Sequence, residues 1–313
     1  MNQHETIEAA PLWANVAASV TRRLPVGRYR LIHWLCHGRN KTFLGTMPSK
    51  LGGHKFQCSF HDIIARDVFF SGCYEPQETL FLQSVLRPGM SFVDVGANWG
   101  FFTLMAAHQV GPSGKVVAVE ADPRIFLKLK QNIESNHLSH VTILDVAVAD
   151  RDSRLLLAGH DESEENWGIS RLVEAGTVSA ITFDVCSRRL DPLLDEAGLN
   201  TVDLVKIDVE GAEDLVLAGM DAGLNKHRYR CILMELHPQQ LAERGRMIEE
   251  LIALLTGKGY TGWTLDHSHT ASRKARYNSR ARLSEFIRPL AEVFHDPWPH
   301  TIWTCPGVKL NAL

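Results

Sequence analysis

The chain has 313 residues, 45% of them hydrophobic and 22% charged, with a formal net charge of −3. That apolar content can bury one large core, and the charge gives no overall pull toward nucleic acid or acidic membranes. Six cysteines (Cys36, Cys58, Cys73, Cys186, Cys231, Cys305) form no C-x-x-C pair, no 18-residue apolar run occurs, and MNQHETIEAA lacks a basic leader, so a cytoplasmic protein with reduced thiols is expected.

Residues 1–85 read as a helical and β appendage. Trp13, Val16, Ala17, Val20 and Leu24 recur at helical spacing, followed by Arg22, Arg23, Arg28, Arg30, Arg39 and Lys41 with Tyr29 and Trp34 among them. A basic amphipathic helix rests on a membrane surface, grips an acidic substrate, or is the solvated face of a helix packed on the main domain. The last is the commoner arrangement.

From residue 86 to 313 a second texture sets in. Short apolar β-rich runs at 91–96, 115–121, 141–149, 203–209, 231–237 and 260–265 alternate with helical stretches near 101–109, 123–136, 188–197, 212–219 and 239–257. Near-continuous apolar strands between helices predict an α/β domain with a mainly parallel sheet covered on both faces. Its ligands belong at the carboxyl ends of the strands. Two stretches break the alternation. Residues 150–187 carry RLLLAGH and AITFDVC around the polar DESEENWGISRL, which reads as extra β structure with a loop. Residues 268–299 form an insertion with Arg273, Lys274, Arg276, Arg280 and Arg282 before a final strand at 301–305, and they suit an anionic partner or a solvated loop.

VDVGANWGFF, residues 93–102, is a strand, a tight turn and a helix start, which aims backbone N–H groups and the positive helix end at an anion. A dinucleotide loop needs G-x-G-x-x-G, but here the spacing is G-x-x-x-G, with Asn98 where the second glycine belongs. S-adenosylmethionine asks for less. Its carboxylate suits the helix start, its cationic amino and sulfonium groups favour an acid such as Asp94, and Glu120 ends the second strand where a carboxylate accepts ribose hydroxyls. Asp94 and Glu120 have plainer readings as a turn cap and a helix cap. The joint spacing of Asp94, Gly96, Gly100 and Glu120 favours a nucleoside site.

KIDVEGAE ends the fourth strand and MELHP the fifth. Alternation along each strand puts Asp208 with Glu210 on one side, and Glu235 with His237 on one side of its neighbour. Each also has a structural reading: Asp208 as a partner of Lys206, Glu210 as a helix cap, His237 as a strand-end residue. As a cluster they suit the removal of a proton beside a cofactor.

VDVGANWGFFTL, preceded by SGCYEPQETLFLQSVLRPG and followed by LVKIDVEGAEDLVLAGM and ILMELHP, resembles the FkbM family of S-adenosylmethionine-dependent methyltransferases over residues 66–265. The resemblance implies a class I methyltransferase fold, a Rossmann-like three-layer sandwich whose seven-stranded sheet has an antiparallel last strand. It also implies O-methylation of small molecules, sugars or lipid-linked glycans. By that likeness Asp94, Gly96, Asn98, Gly100 and Glu120 bind the cofactor, Glu75 of the YEP segment covers its methionine end, and NWGISRL with Trp167 and Ser170 lies near the acceptor. Asp208 is then the residue nearest the methyl group, with His237 or Glu210 as base. A magnesium ion held by Asp208, Glu210 and Glu235 is the alternative. The expected acceptor is the hydroxyl of a sugar, glycolipid or polyketide, with no membrane span and no nucleic-acid partner. RNA or protein methylation, or binding of the cofactor without turnover, are the competing readings.

Overall fold

The computed structural model describes residues 7–24, 26–160, 170–173, 181–278, 280–290 and 296–310. The amino-terminal part contains α1 (Leu12–Thr21), α2 (Arg28–Cys36), a hairpin of β1 (Thr42–Thr46) and β2 (Lys55–Ser59), α3 (Ile63–Ser71) and α4 (Pro76–Val85). The alternation then begins with β3 (Ser91–Val95), α5 (Phe101–Val110), β4 (Lys115–Glu120), α6 (Pro123–Glu134) and β5 (Val141–Asp145). A second sheet comes from β6 (Ala147–Val148), β7 (Ser153–Gly159), β8 (Ser170–Val173) and β9 (Ile181–Arg188). The chain returns through α7 (Leu190–Glu196), β10 (Leu204–Ile207), α8 (Glu213–Gly219), α9 (Asp221–Asn225), β11 (Cys231–Glu235), α10 (Pro238–Glu243) and α11 (Ile248–Gly257). It closes with β12 (Thr261–Leu265), α12 (His269–Tyr277), β13 (Ile287–Pro289) and β14 (His300–Thr304).

The main sheet runs β13-β12-β14-β11-β10-β3-β4-β5. β5, β4, β3, β10 and β11 are mutually parallel, and β14 is antiparallel to both β11 and β12. The last strand is therefore antiparallel, as the resemblance implies. The sheet has eight strands rather than seven, because Ile287–Pro289 pairs with Trp263–Leu265 at its edge. A three-residue edge strand inside a basic run leaves no periodic signal.

Side-chain alternation sorts the strands onto two cores. Phe92, Val116, Ala118, Leu204 and Leu233 face one core, while Val93, Val117, Val205, Ile232 and Met234 face the other. The first core is shared with Ala14, Ile32, Phe43 and Phe69, so the amino-terminal segments form the layer over that face. The insertion joins the same layer. Gln77 Nε2 of α4 donates to Ser272 Oγ of α12 at 2.9 Å, and Arg276 lies 4.5 Å over the Tyr29 ring.

Two expected elements divide. The helix expected at 239–257 becomes α10 and α11, separated by a turn with Gly245 at φ 71°. The strand expected at 141–149 splits at Val146, with β5 in the main sheet and β6 pairing with β9 in the second. An unbroken apolar run does not show where a chain changes sheets. Trp167 lies outside the described residues.

Candidate active site

The carboxyl ends of β3, β4, β10 and β11 open into a cavity of about 520 Å³. Its lining includes Glu75, Gly96, Asn98, Glu120, Asp208, Glu210, Glu235 and His237. These are eight of the ten residues singled out in the sequence. Trp99, Phe101 and Phe102 give it apolar walls, and Ser170, Leu157 and Leu172 close it from the second sheet.

The glycine turn is built by close approach. Gly96 has φ 81°, and a Cβ there would overlap the carbonyl oxygen of Asp208. Only glycine admits both the conformation and the contact. Asn98 also lies at positive φ, and its backbone N–H donates to Glu120 Oε2 at 2.8 Å. Asp122 N–H donates to Glu120 Oε1 at the same distance, so the β4 carboxylate is clamped between two amides. Burial lifts its pKa to about 7 despite those two bonds. Gly100 caps α5 at φ 96° without lining the cavity.

Asp94 departs from its expected place. It is wholly buried under the turn, outside the cavity lining, and Thr103 Oγ1 donates to its Oδ2 at 2.6 Å. The strand parity that puts Asp94 on the helix-covered face holds its carboxyl beneath the loop. Its Oδ1 is left without a partner, and burial raises its pKa to about 6 against the opposing pull of Lys206.

On the far side of the cavity the acids gather around one ammonium. Lys206 of β10 is buried, with its Nζ 2.8 Å from Asp208 Oδ2 and 4.8 Å above the Phe102 ring. Burial disfavours its charge, yet Asp208, Glu75 and Asp94 together hold its pKa above the ordinary lysine value. Asp208 is kept below the usual carboxylate range, its burial outweighed by Lys206 and then His237. Glu75 is pushed up to about 8 by burial, and Glu235 rises well above its usual value by burial and by the charges of Asp208 and Glu75. The ionised carboxylate nearest the ammonium is thus Asp208.

His237 is anchored from behind. Its Nδ1 is 2.7 Å from Glu213 Oε1, while its Nε2 is 3.3 Å from Glu210 Oε2 and 3.7 Å from Glu235 Oε1. Burial works against the imidazolium, but the Glu213 bond and the charges of Glu210, Glu213 and Asp208 raise the pKa above the ordinary histidine value. Glu210 sits at φ 52° and Glu75 at φ 36°. With Asn98, three of the five described non-glycine residues at positive φ line this cavity, and such outliers gather at functional sites.

Behind Glu235 lies a second cluster. Glu78 Oε1 is 2.5 Å from His267 Nε2 and 3.3 Å from His300 Nε2, and the two imidazoles stack with centroids 3.8 Å apart and planes 7° from parallel. In-plane lone pairs on stacked rings do not converge on one ion. A carboxylate shared by a protonated and a neutral imidazole fits better: His267 is raised by Glu78 against its burial, and His300 is lowered to about 3 by burial.

The family profile described as "Methyltransferase FkbM domain" matches residues 94–261, more than half of the chain. The chain belongs to the FkbM methyltransferase family. It is 29% identical over 180 residues to 2-O-methyltransferase NoeI of Sinorhizobium fredii, covering 54% of this chain and 72% of that one. It is 29% identical over 220 residues to 31-O-demethyl-FK506 methyltransferase FkbM of Streptomyces tacrolimicus, covering 63% and 80%. A crystal structure of methyltransferase FkbM from Methylobacillus flagellatus aligns at TM-score 0.41 and 14% identity over 77% of this chain and 54% of that one.

This FkbM methyltransferase uses S-adenosylmethionine, and its site contains two residues that the sequence did not single out. Lys206 read as a mere ion-pair partner, although a lysine inside an apolar strand between two acids is itself a signal of a buried charge cluster. Glu213 is a first-turn acid of α8 that no motif marks. Its role behind His237 depends on the α8 start meeting the end of β11, which no local pattern reveals.

Proposed function

We propose that the chain transfers the methyl group of S-adenosylmethionine to a hydroxyl of a small polar acceptor such as a sugar, glycolipid or polyketide. The carrying observation is one cavity with the clamped carboxylate of Glu120 on one side and the Asp208, Glu235 and His237 cluster on the other. The names of the two relatives, a 2-O-methyltransferase and a 31-O-demethyl-FK506 methyltransferase, support oxygen as the acceptor atom.

The residues fit the cofactor. Glu75 Oε2 is a buried carboxyl oxygen without a partner on the cavity wall, ready for the cationic amino and sulfonium end. Glu120 retains free lone pairs for the ribose hydroxyls after accepting its two amides. Gly96 and Asn98 shape the turn, and Gly100 frees the first amides of α5 for the carboxylate. Bound there, the cofactor supplies an electrophilic methyl group on a positive sulfur.

The chain's own work is to place the acceptor oxygen and to take its proton. Glu213 fixes the His237 proton on Nδ1, so Nε2 faces the cavity with its lone pair. Asp208, held by Lys206, orients the acceptor beside that nitrogen. As His237 takes the proton, Glu210, Glu213 and Asp208 stabilise the imidazolium. Magnesium does not fit Asp208, Glu210 and Glu235. The Lys206 ammonium already occupies Asp208 and would repel a divalent ion.

Calorimetric titration of the purified chain with S-adenosylmethionine, beside NAD and with or without magnesium, tests this reading. Micromolar binding of the sulfonium cofactor without magnesium is expected, followed by labelled methyl transfer in a panel of sugar and polyketide alcohols. Binding of NAD, or of neither, overturns it.

A further inference from the structure

The amino-terminal helices carry a feature that methyl transfer does not use. α1 buries Ala14, Ala18 and Thr21, and its opposite face shows Leu12 at 86% exposed and Val16 at 64%, with Val20 exposed one turn on. Arg23 continues that stripe, its Nη1 donating to Ser19 Oγ at 2.8 Å. α2 repeats the arrangement: Ile32 and Cys36 are buried, while Trp34 stands 73% exposed with Arg30 on the same outward face. Both helices pack on α3, and the connector between them leaves Val26 exposed.

The charge around these residues is mostly positive, with Lys41 paired to the exposed Glu8 at 2.6 Å. From residue 9 to 61 the chain has eight lysines and arginines and no aspartate or glutamate, in a protein whose net charge is −3. Arg23, Arg30, Arg39 and Lys41 are exposed there, and Arg39 stacks on Trp13 at 5.0 Å.

We propose that α1, α2 and their connector form a docking face for an anionic phospholipid bilayer, on which the protein lies without crossing it. Exposed aliphatic side chains and Trp34, with arginines on the same helices, match the acyl boundary and the acidic headgroups of such a surface. A second copy fits poorly, because a two-fold contact would bring this net-positive charge against itself. Nucleic acid would engage the arginines and leave five exposed apolar side chains in water. No described helix is long and apolar enough to span a membrane, so the contact is superficial. The inference stands apart from the identity of the acceptor.

Co-sedimentation of the full chain with vesicles tests it, using phosphatidylcholine alone and phosphatidylcholine containing about a third phosphatidylglycerol. Expected is partitioning to the phosphatidylglycerol vesicles that is at least tenfold weaker on neutral vesicles and falls with added salt. The double variant Leu12→Asp with Val16→Asp, and separately Arg23→Glu with Arg30→Glu, should each lose tenfold or more. All these side chains are exposed and outside the cavity lining, so calorimetric binding of S-adenosylmethionine should be unchanged and report intact folding. Absence of vesicle binding overturns the proposal. So does binding that survives Leu12→Asp with Val16→Asp, self-association in the ultracentrifuge that those changes abolish, or binding of a polynucleotide that only the arginine changes abolish.

Discussion

Replacing Glu213 by glutamine tests the base assignment without touching the cavity wall. The amide oxygen can still accept from His237 Nδ1 and from Gly211 N–H, which now bond to Glu213 Oε1 at 2.7 and 3.0 Å. What disappears is a unit charge against the ring. At a separation of about 4 Å and an effective dielectric near 20 that charge is worth about 4 kcal/mol. Glu210 and Asp208 remain, so a loss of about 2 to 3 kcal/mol is expected, equivalent to a fall of roughly 1.5 to 2 pKa units for His237. Histidine-selective NMR titration, with His237→Gln identifying the signal, reads this shift without any acceptor. Once an acceptor is known, kcat should drop about 30- to 150-fold and the acid limb of its pH profile should move down by the same 1.5 to 2 units. The amide nitrogen replaces Glu213 Oε2, which is buried without a partner, so thermal stability should also fall by about 1 to 3 kcal/mol. A kcat loss with the acid limb unmoved would falsify His237 as the base.

Further expectations follow from the same geometry. Gly96→Ala forces a Cβ into the Asp208 carbonyl and should weaken S-adenosylmethionine binding by two orders of magnitude or more, or unfold the chain by over about 3 kcal/mol; calorimetry and urea titration separate the two, and near-normal affinity would mean the turn is placed wrongly. Asp208→Asn should abolish transfer while leaving circular dichroism and cofactor affinity close to wild type, and normal turnover would remove Asp208 from the mechanism. In the native enzyme the acid limb of kcat should lie above the ordinary histidine range, because the raised pKa of His237 keeps the base protonated until higher pH. On acidification the contributions of His300 and Glu78 should be lost, opposite in sign to the gain from Glu75, Glu120 and Asp94, whose folded pKa values of about 8, 7 and 6 lie above their unfolded ones. The folded pKa of His300, about 3, lies below its unfolded value of 6.5, so its contribution is lost between those values, and Glu78, at about 2 against 4.5, adds a loss below pH 4.5. The stability of the wild type relative to a His300→Gln variant, from urea titrations between pH 7 and 4, should fall by about 2 to 4 kcal/mol, and a constant difference would exclude His300 as a source.

The sequence exposes the α/β core because strands such as SFVDV and LVKI are apolar on both faces, a pattern that only a covered parallel sheet explains. The cofactor turn is equally legible, since its glycines answer backbone geometry that the spacing records. Asp94 was misplaced because alternation tells which face a side chain takes but not whether that face meets the cavity or the packing beneath it. The partnership of Glu213 with His237 joins residues 24 positions apart through the approach of the α8 start to the end of β11. The added edge strand at Ile287–Pro289 hides for a different reason: three residues are too few to show a period. The sequence reads the basic run of the insertion as suited to an anionic partner or a solvated loop; in the fold Arg276 lies over the Tyr29 ring and Lys274 pairs with Glu285 at 3.5 Å.

The meeting of Gly96 with the Asp208 carbonyl bears on how such an enzyme can diverge. The two positions follow different strands, β3 and β10, yet neither backbone can drift without the other. New acceptor preferences in this lineage should therefore arise by substitution in the second sheet and the loops above it. The paired strand ends would pass unaltered from ancestor to descendant.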